Sequence, residues 1–178
     1  MAAGMPLLHP IFDEGPSVDL KAAIAELASG GTEERGAIFT RREVVEFILD
    51  LVGYTESVPL YRKRLLEPSV GVGDFFLPAV SRLLKSFRVD QEKGFASFEA
   101  LQSAVRAVEI HRDSLAAMRE ELETVLASDG FKKPEREKLI RAWLVEGDFL
   151  LADLPGEFDF VVGNPPYVRQ ELIPAALL

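Results

Sequence analysis

Four short apolar runs restrict this chain more than any other feature. They lie at 64–67, 104–110, 143–145 and 158–162, and each leads into a turn carrying glycine or an acidic residue. Continuous apolar runs of this length suit strands buried on both faces, whereas a half-exposed strand would alternate. Helical stripes separate them. Phe76, Val80, Leu83, Leu84 and Phe87 predict a helix over 75–87, and Leu115, Met118, Leu122 and Val125 predict another after the second run. Residues 90–101 read as a connector with a short helical turn, 129–137 as a polar, charged loop, and Pro155 with Gly156 as a turn. Strand and helix in alternation predict an α/β fold: a parallel sheet with helices on both faces.

The N-terminal region reads differently. Gly4, Pro6, Pro10, Gly15 and Pro16 predict a loose leader. Ser17 is placed to cap a helix carrying Leu20, Ile24 and Leu27, and Gly30 with Gly31 stop it. Thr40 followed three places later by Glu43 is a capping-box pattern. The helix it opens carries Val44, Val45, Ile48, Leu49 and Val52, and Gly53 ends it. The expected division is a leader and helix over 1–34 and a partial catalytic domain over 35–178.

Ligands of an open parallel sheet sit beyond the carboxyl ends of its strands. Three such ends carry polar signals here. Gly71 and Gly73 follow the first strand and allow close backbone approach to a ligand. Glu109 closes the second, where an acid can accept both hydroxyls of a ribose. Asp148 follows the third, where a carboxylate can accept an adenine amine, with Phe149 beside it to pack on the ring. The glycine loop lacks the third glycine of the dinucleotide pattern, and no Gly-x-x-x-x-Gly-Lys-Ser/Thr loop is present. An adenosine ligand without phosphates fits what remains.

Asn164, Pro165, Pro166 and Tyr167 follow the fourth run directly. Two prolines fix the backbone and remove two amide donors, so the Asn oxygen and a proline carbonyl are presented as acceptors. A planar NH2 group offers two donors to match them. Such an amine is a poor nucleophile because its lone pair is delocalised. Acceptors holding its hydrogens favour the pyramidal form and stabilise positive charge growing on nitrogen. Tyr167 adds a stacking face, and the target base must leave a duplex to reach it.

With these residues in place, the chain resembles the adenine-N6 amino-methyltransferases of DNA, specifically the Eco57I-like restriction–modification group. Residues 35–40 (RGAIFT) resemble the family's N-terminal cofactor motif, in which Thr40 lies near the methionine end. Residues 67–75 (EPSVGVGDF), with Glu67, Pro68, Ser69, Gly71 and Gly73, resemble the loop around the methionine moiety. Glu109 matches the ribose acid, Ile110 the residue packing on adenine, and 147–149 (GDF) the adenine-amine motif. Residues 164–167 (NPPY) match the catalytic motif. The resemblance implies a Rossmann-like S-adenosylmethionine-dependent methyltransferase fold and methyl transfer to the N6 amine of a flipped adenine. It also implies further strands and a DNA-recognition region after the catalytic loop. The expectation is therefore a sheet truncated after its fourth strand, in a fragment or one half of a split enzyme with little activity alone, reaching double-stranded DNA through regions outside the chain or on a complementary subunit.

Composition bears on this at two points. Acidic residues number 29 against 20 basic, a net charge of −9, which opposes phosphate contact unless the DNA-holding parts lie elsewhere. Basic residues gather only locally, at 41–42, 62–64 and 132–133. There is no cysteine, and His9 and His111 are the two histidines, so no zinc centre is expected and the prokaryotic cytoplasm is the default compartment. No apolar run approaches membrane-spanning length. Three rival readings share these motifs: a protein glutamine methyltransferase, an RNA methyltransferase, and a non-catalytic subunit that binds cofactor or assembles a complex. The first lacks the motif at 35–40.

Overall fold

The structure is a computed structural model and describes residues 40–165. The helix expected after Ser17 lies outside them, as do Pro166 and Tyr167. The described elements run α1 (Arg42–Leu51), a 3-10 turn (Leu60–Arg62), β1 (Leu65–Glu67), α2 (Phe76–Glu92), α3 (Phe98–Ser103), β2 (Val105–Glu109), α4 (Arg112–Ser128), α5 (Lys133–Trp143), β3 (Leu144–Glu146) and β4 (Phe160–Val161).

Every strand pair is parallel, and the sheet order is β3-β2-β1-β4. This is an α/β architecture: a four-stranded parallel sheet with crossover helices, as expected of a partial Rossmann-like fold. Parallel neighbours need crossovers. Helices α2 and α3 lead from β1 to β2, and α4 and α5 lead from β2 to β3. The chain then returns past two strands to place β4 on the other side of β1. The order reverses between β1 and β4, which makes their tips the topological switch point.

β1 is buried throughout and β2 nearly so, as their continuous apolar runs require. Their side chains join Phe76, Val80, Leu83 and Phe87 of α2 and Leu115, Met118, Leu122 and Leu126 of α4 in one core. Each such side chain contributes about 1.5–3 kcal/mol when fully buried. Trp143 is buried under the sheet edge and donates its indole N–H to the Leu101 carbonyl, 3.1 Å away. Tyr54 braces β4 from below, its ring edge-on to Phe160 with centroids 5.1 Å apart.

Several expectations need correction. The segment 129–137 is not a loop: α5 starts at Lys133 and carries Trp143 at its end, so β3 begins at Leu144. Pro134 suits the first helical turn, and the Glu135 carboxylate accepts from the Lys132 amide at 2.7 Å. Helix α2 continues to Glu92, beyond the expected Phe87. On α4 the core residue is Leu126, with Val125 only partly buried. β4 is shorter than 158–162. Finally, the Thr40 side chain does not cap α1, whose N-cap is Arg41 without a side-chain bond.

Candidate functional site

The carboxyl ends of β1, β2 and β4 gather most of the residues that the sequence singles out. The loop after β1 is fastened first. Val70 donates to the Val108 carbonyl at 2.9 Å, which ties the loop to β2, and Gly73 donates to the Val70 carbonyl at 2.8 Å, which closes the bend. Gly71 has φ +53° and Gly73 φ +90°, the left-handed region that glycine enters without a Cβ penalty. The two glycines then differ. A Cβ on Gly71 would meet no atom within 4 Å, so that side of the bend is open, whereas one on Gly73 would collide with Met118. Gly71 thus faces outward, and Gly73 lets the bend sit down on α4. Pro68 and Ser69 are half-buried between strand and bend.

Glu109 is 3% exposed at the tip of β2. One carboxylate oxygen accepts from the Gly71 amide and the other from the His111 amide, both at 2.8 Å. A carboxylate has roughly four acceptor positions, so these two bonds orient the group and leave capacity for hydroxyl donors. Ile110, half-buried, follows it. β3 aligns with the same tip, because Gly147 donates to the Glu109 carbonyl at 2.9 Å. Asp148 follows, and its carboxylate accepts from the Leu150 amide at 2.7 Å, which turns the chain. Phe149 is 38% exposed, so its ring lies open to solvent.

Glu67, the last residue of β1, is 2% exposed, and its Oε2 has no hydrogen-bond partner among the described residues. Burial, and after it the nearby carboxylates of Asp74 and Glu109, hold it well above the usual carboxylate range. Gly163 presses against it: a Cβ there would lie 3.6 Å from Glu67 Cγ and 3.4 Å from Pro68 Cδ. These are ordinary van der Waals separations, so Gly163 lies against β1 with room for little more than a methyl group.

Val162 continues the β1–β4 ladder by donating to the Leu66 carbonyl at 3.0 Å, and it delivers Gly163 and Asn164 to the switch point. The Asn164 amide nitrogen donates to Thr40 Oγ1 at 3.2 Å. Thr40 in turn donates its backbone N–H to Asp74 Oδ2 at 2.7 Å. Pro165 is exposed beyond. The sequence places Asp74 within the 67–75 motif but gives it no role of its own. Its signal is a carboxylate directly after the glycine bend, and it serves as the bend's anchor for Thr40.

This arrangement fits an adenosyl sulfonium ligand in two respects: a buried carboxylate at a strand tip with acceptor capacity, and an open glycine bend beside a buried unpartnered oxygen. Among the described residues no His, Cys, Asp and Glu side chains cluster as a metal site.

A family model described as "Eco57I restriction-modification methylase" matches residues 80–176. The type II methyltransferase M.PaeR7I of Pseudomonas aeruginosa is 54% identical over 158 residues, covering 88% of this chain and 27% of that protein. M.XhoI of Xanthomonas vasicola is 56% identical over 146 residues, covering 82% and 27%. M.BstVI of Geobacillus stearothermophilus is 42% identical over 147 residues, covering 80% and 26%. The chain thus spans about a quarter of the length of these curated relatives.

Proposed function

The chain belongs to the Eco57I restriction-modification methylase family, and from that premise we propose that it forms the cofactor-holding and catalytic-loop part of a site-specific DNA adenine-N6 methyltransferase. The observation that carries the reading is the convergence at the switch point. Glu109 binds the glycine bend through Gly71, and Asn164 reaches the same bend through Thr40 and Asp74.

S-adenosylmethionine, when bound, supplies an electrophilic methyl group. Glu109 holds the ribose hydroxyls and Asp148 the adenine amine, with Ile110 and Phe149 against the ring. Exposed Phe149 has a ring face to give. Thr40, Glu67, Pro68, Ser69, Gly71 and Gly73 surround the methionine end, and the unpartnered Glu67 oxygen provides a hydrogen-bonding site there.

The catalytic loop works on the substrate. The Asn164 side-chain oxygen and a proline carbonyl from Pro165 or Pro166 accept the two hydrogens of a base amine. That draws the nitrogen lone pair out of conjugation and stabilises the charge that builds as the new bond forms. Tyr167 stacks on the flipped base, a contact worth about 1–3 kcal/mol. Double-stranded DNA is the partner, held chiefly by regions beyond this chain.

The test is to express the full-length enzyme, methylate unmodified DNA and identify the product base by mass spectrometry. N6-methyladenine is expected. N4-methylcytosine would refute the adenine assignment, and no transfer to any DNA would refute the reading as a whole.

A further inference from the structure

We infer that Thr40 is a positioning residue that couples the glycine bend to the catalytic loop by holding the Asn164 side-chain amide. The inference rests on the role proposed above for Asn164. Its warrant is geometric. The Thr40 hydroxyl is not used as a helix cap, although the sequence pattern suggests that use. It receives the Asn164 amide nitrogen instead, across 124 positions of chain. An Asn amide has a donor end and an acceptor end of nearly the same shape, so packing alone does not choose between them. In the bond as it stands the hydroxyl oxygen accepts from Nδ2, so the NH2 end is turned toward Thr40 and Oδ1 away from it. Acceptance of a base amine needs that orientation, because the flipped amide would present donors to donors.

Thr40 itself is held from two sides. Its backbone N–H is bound to Asp74 Oδ2 in the glycine bend. The helix it leads into is clamped from behind by Arg82 of α2, which donates to both the carboxylate and the carbonyl of Glu46, to Asp50 and to the Tyr54 carbonyl. A shift of the bend therefore reaches the Asn164 amide through two hydrogen bonds and one residue.

Two substitutions separate the hydroxyl from the rest of the residue. Thr40→Val keeps the shape and the backbone donor to Asp74, and Thr40→Ser keeps the hydroxyl. In the full-length enzyme under saturating cofactor, Thr40→Val is expected to slow single-turnover methylation about tenfold, the scale of one ordinary hydrogen bond. Cofactor affinity is measured alongside by calorimetry, so that a loss of binding is separated from a loss of saturated rate, and Thr40→Ser should recover most of the rate. A second readout needs no turnover. The side-chain amide resonances of Asn164, observed by selective 15N labelling of the full-length protein, should move in Thr40→Val and stay near their original positions in Thr40→Ser. Unchanged resonances and an unchanged rate in Thr40→Val would overturn the coupling. A loss of cofactor affinity with a normal saturated rate would show that the hydroxyl serves the cofactor alone and overturn the coupling too. A wild-type enzyme that transfers no methyl group would sink the proposed function, and the resonances would still decide whether Thr40 orients Asn164.

Discussion

Glu67 is a buried carboxyl whose charge the fold opposes, at a position proposed to line the cofactor site. Its folded state favours the proton because burial and two neighbouring carboxylates oppose the charge. A carboxyl raised in this way contributes its full stability below the ordinary value of 4.5 and loses it as pH rises toward the folded value. Glu67→Gln is neutral at every pH. It should therefore raise the thermal midpoint at pH 8 relative to wild type and leave it nearly unchanged at pH 4, as read by calorimetric scans at both. A wild-type midpoint that rises over this window by more than that of Glu67→Gln would contradict the assignment. At Gly73 the cost runs the other way. A side chain at φ +90° that also meets Met118 should destabilise Gly73→Ala by about 2–4 kcal/mol in urea unfolding, the sum of backbone strain and overpacking. Asn164→Ala in the complete enzyme should reduce methylation by about two to three orders of magnitude while cofactor binding survives. Asp148→Ala should weaken cofactor binding first. Normal turnover in the former, or normal binding in the latter, removes that residue from its proposed role.

At the scale of elements, the clearest prediction concerns the joint between α1 and α2. Arg82 binds Glu46 and Asp50 at 2.6 Å each, and its side chain is 11% exposed. Both acidic partners keep substantial contact with water, so cutting the joint strands less charge than in a fully buried pair. Arg82→Met should cost about 2 kcal/mol, measured by urea unfolding, and a change below about 0.5 kcal/mol would make the clamp incidental. Element reading also shows where sequence patterns carry information. β1 and β2 were legible because both are buried on two sides, leaving an uninterrupted apolar run with an acid at its end. Helix α5 was not, because Lys132, Lys133, Glu135, Arg136 and Glu137 fill its first turns with charge and its core residues Leu139, Ile140 and Trp143 fall late. Pro134 followed by Glu135 was the available signal. Thr40 misled in the opposite sense: a capping pattern was present, but the hydroxyl found a partner far along the chain that no local pattern encodes. The strand-tip positions of Glu67 and Glu109 were readable from the apolar runs, whereas the links among Thr40, Asp74 and Asn164 depend on how three separate segments meet.

Across the whole molecule, the acidic balance matches where the basic side chains go. Arg42 pairs with Glu46 at 3.0 Å, Lys63 with Asp159 at 2.9 Å, and Arg64 donates to the Glu157 carbonyl at 2.9 Å while lying over the Phe158 ring. These three cations already have partners within their own fold, which lowers what they offer to phosphates. A polypeptide of these 178 residues should therefore show no duplex retention in mobility-shift assays at about 0.15 M salt, where screening is already strong. Tight binding with a steep salt slope would show that those cations are phosphate contacts after all. The strand order has a further bearing, on biogenesis. Translation supplies β1, β2 and β3 in the order in which they stand side by side, so each can settle against a neighbour already made. β4 has to travel back over the finished trio, and it brings Asn164 with it. On the ribosome, the portion proposed to hold the cofactor can thus mature in a nascent polypeptide before the residue assigned to chemistry has emerged.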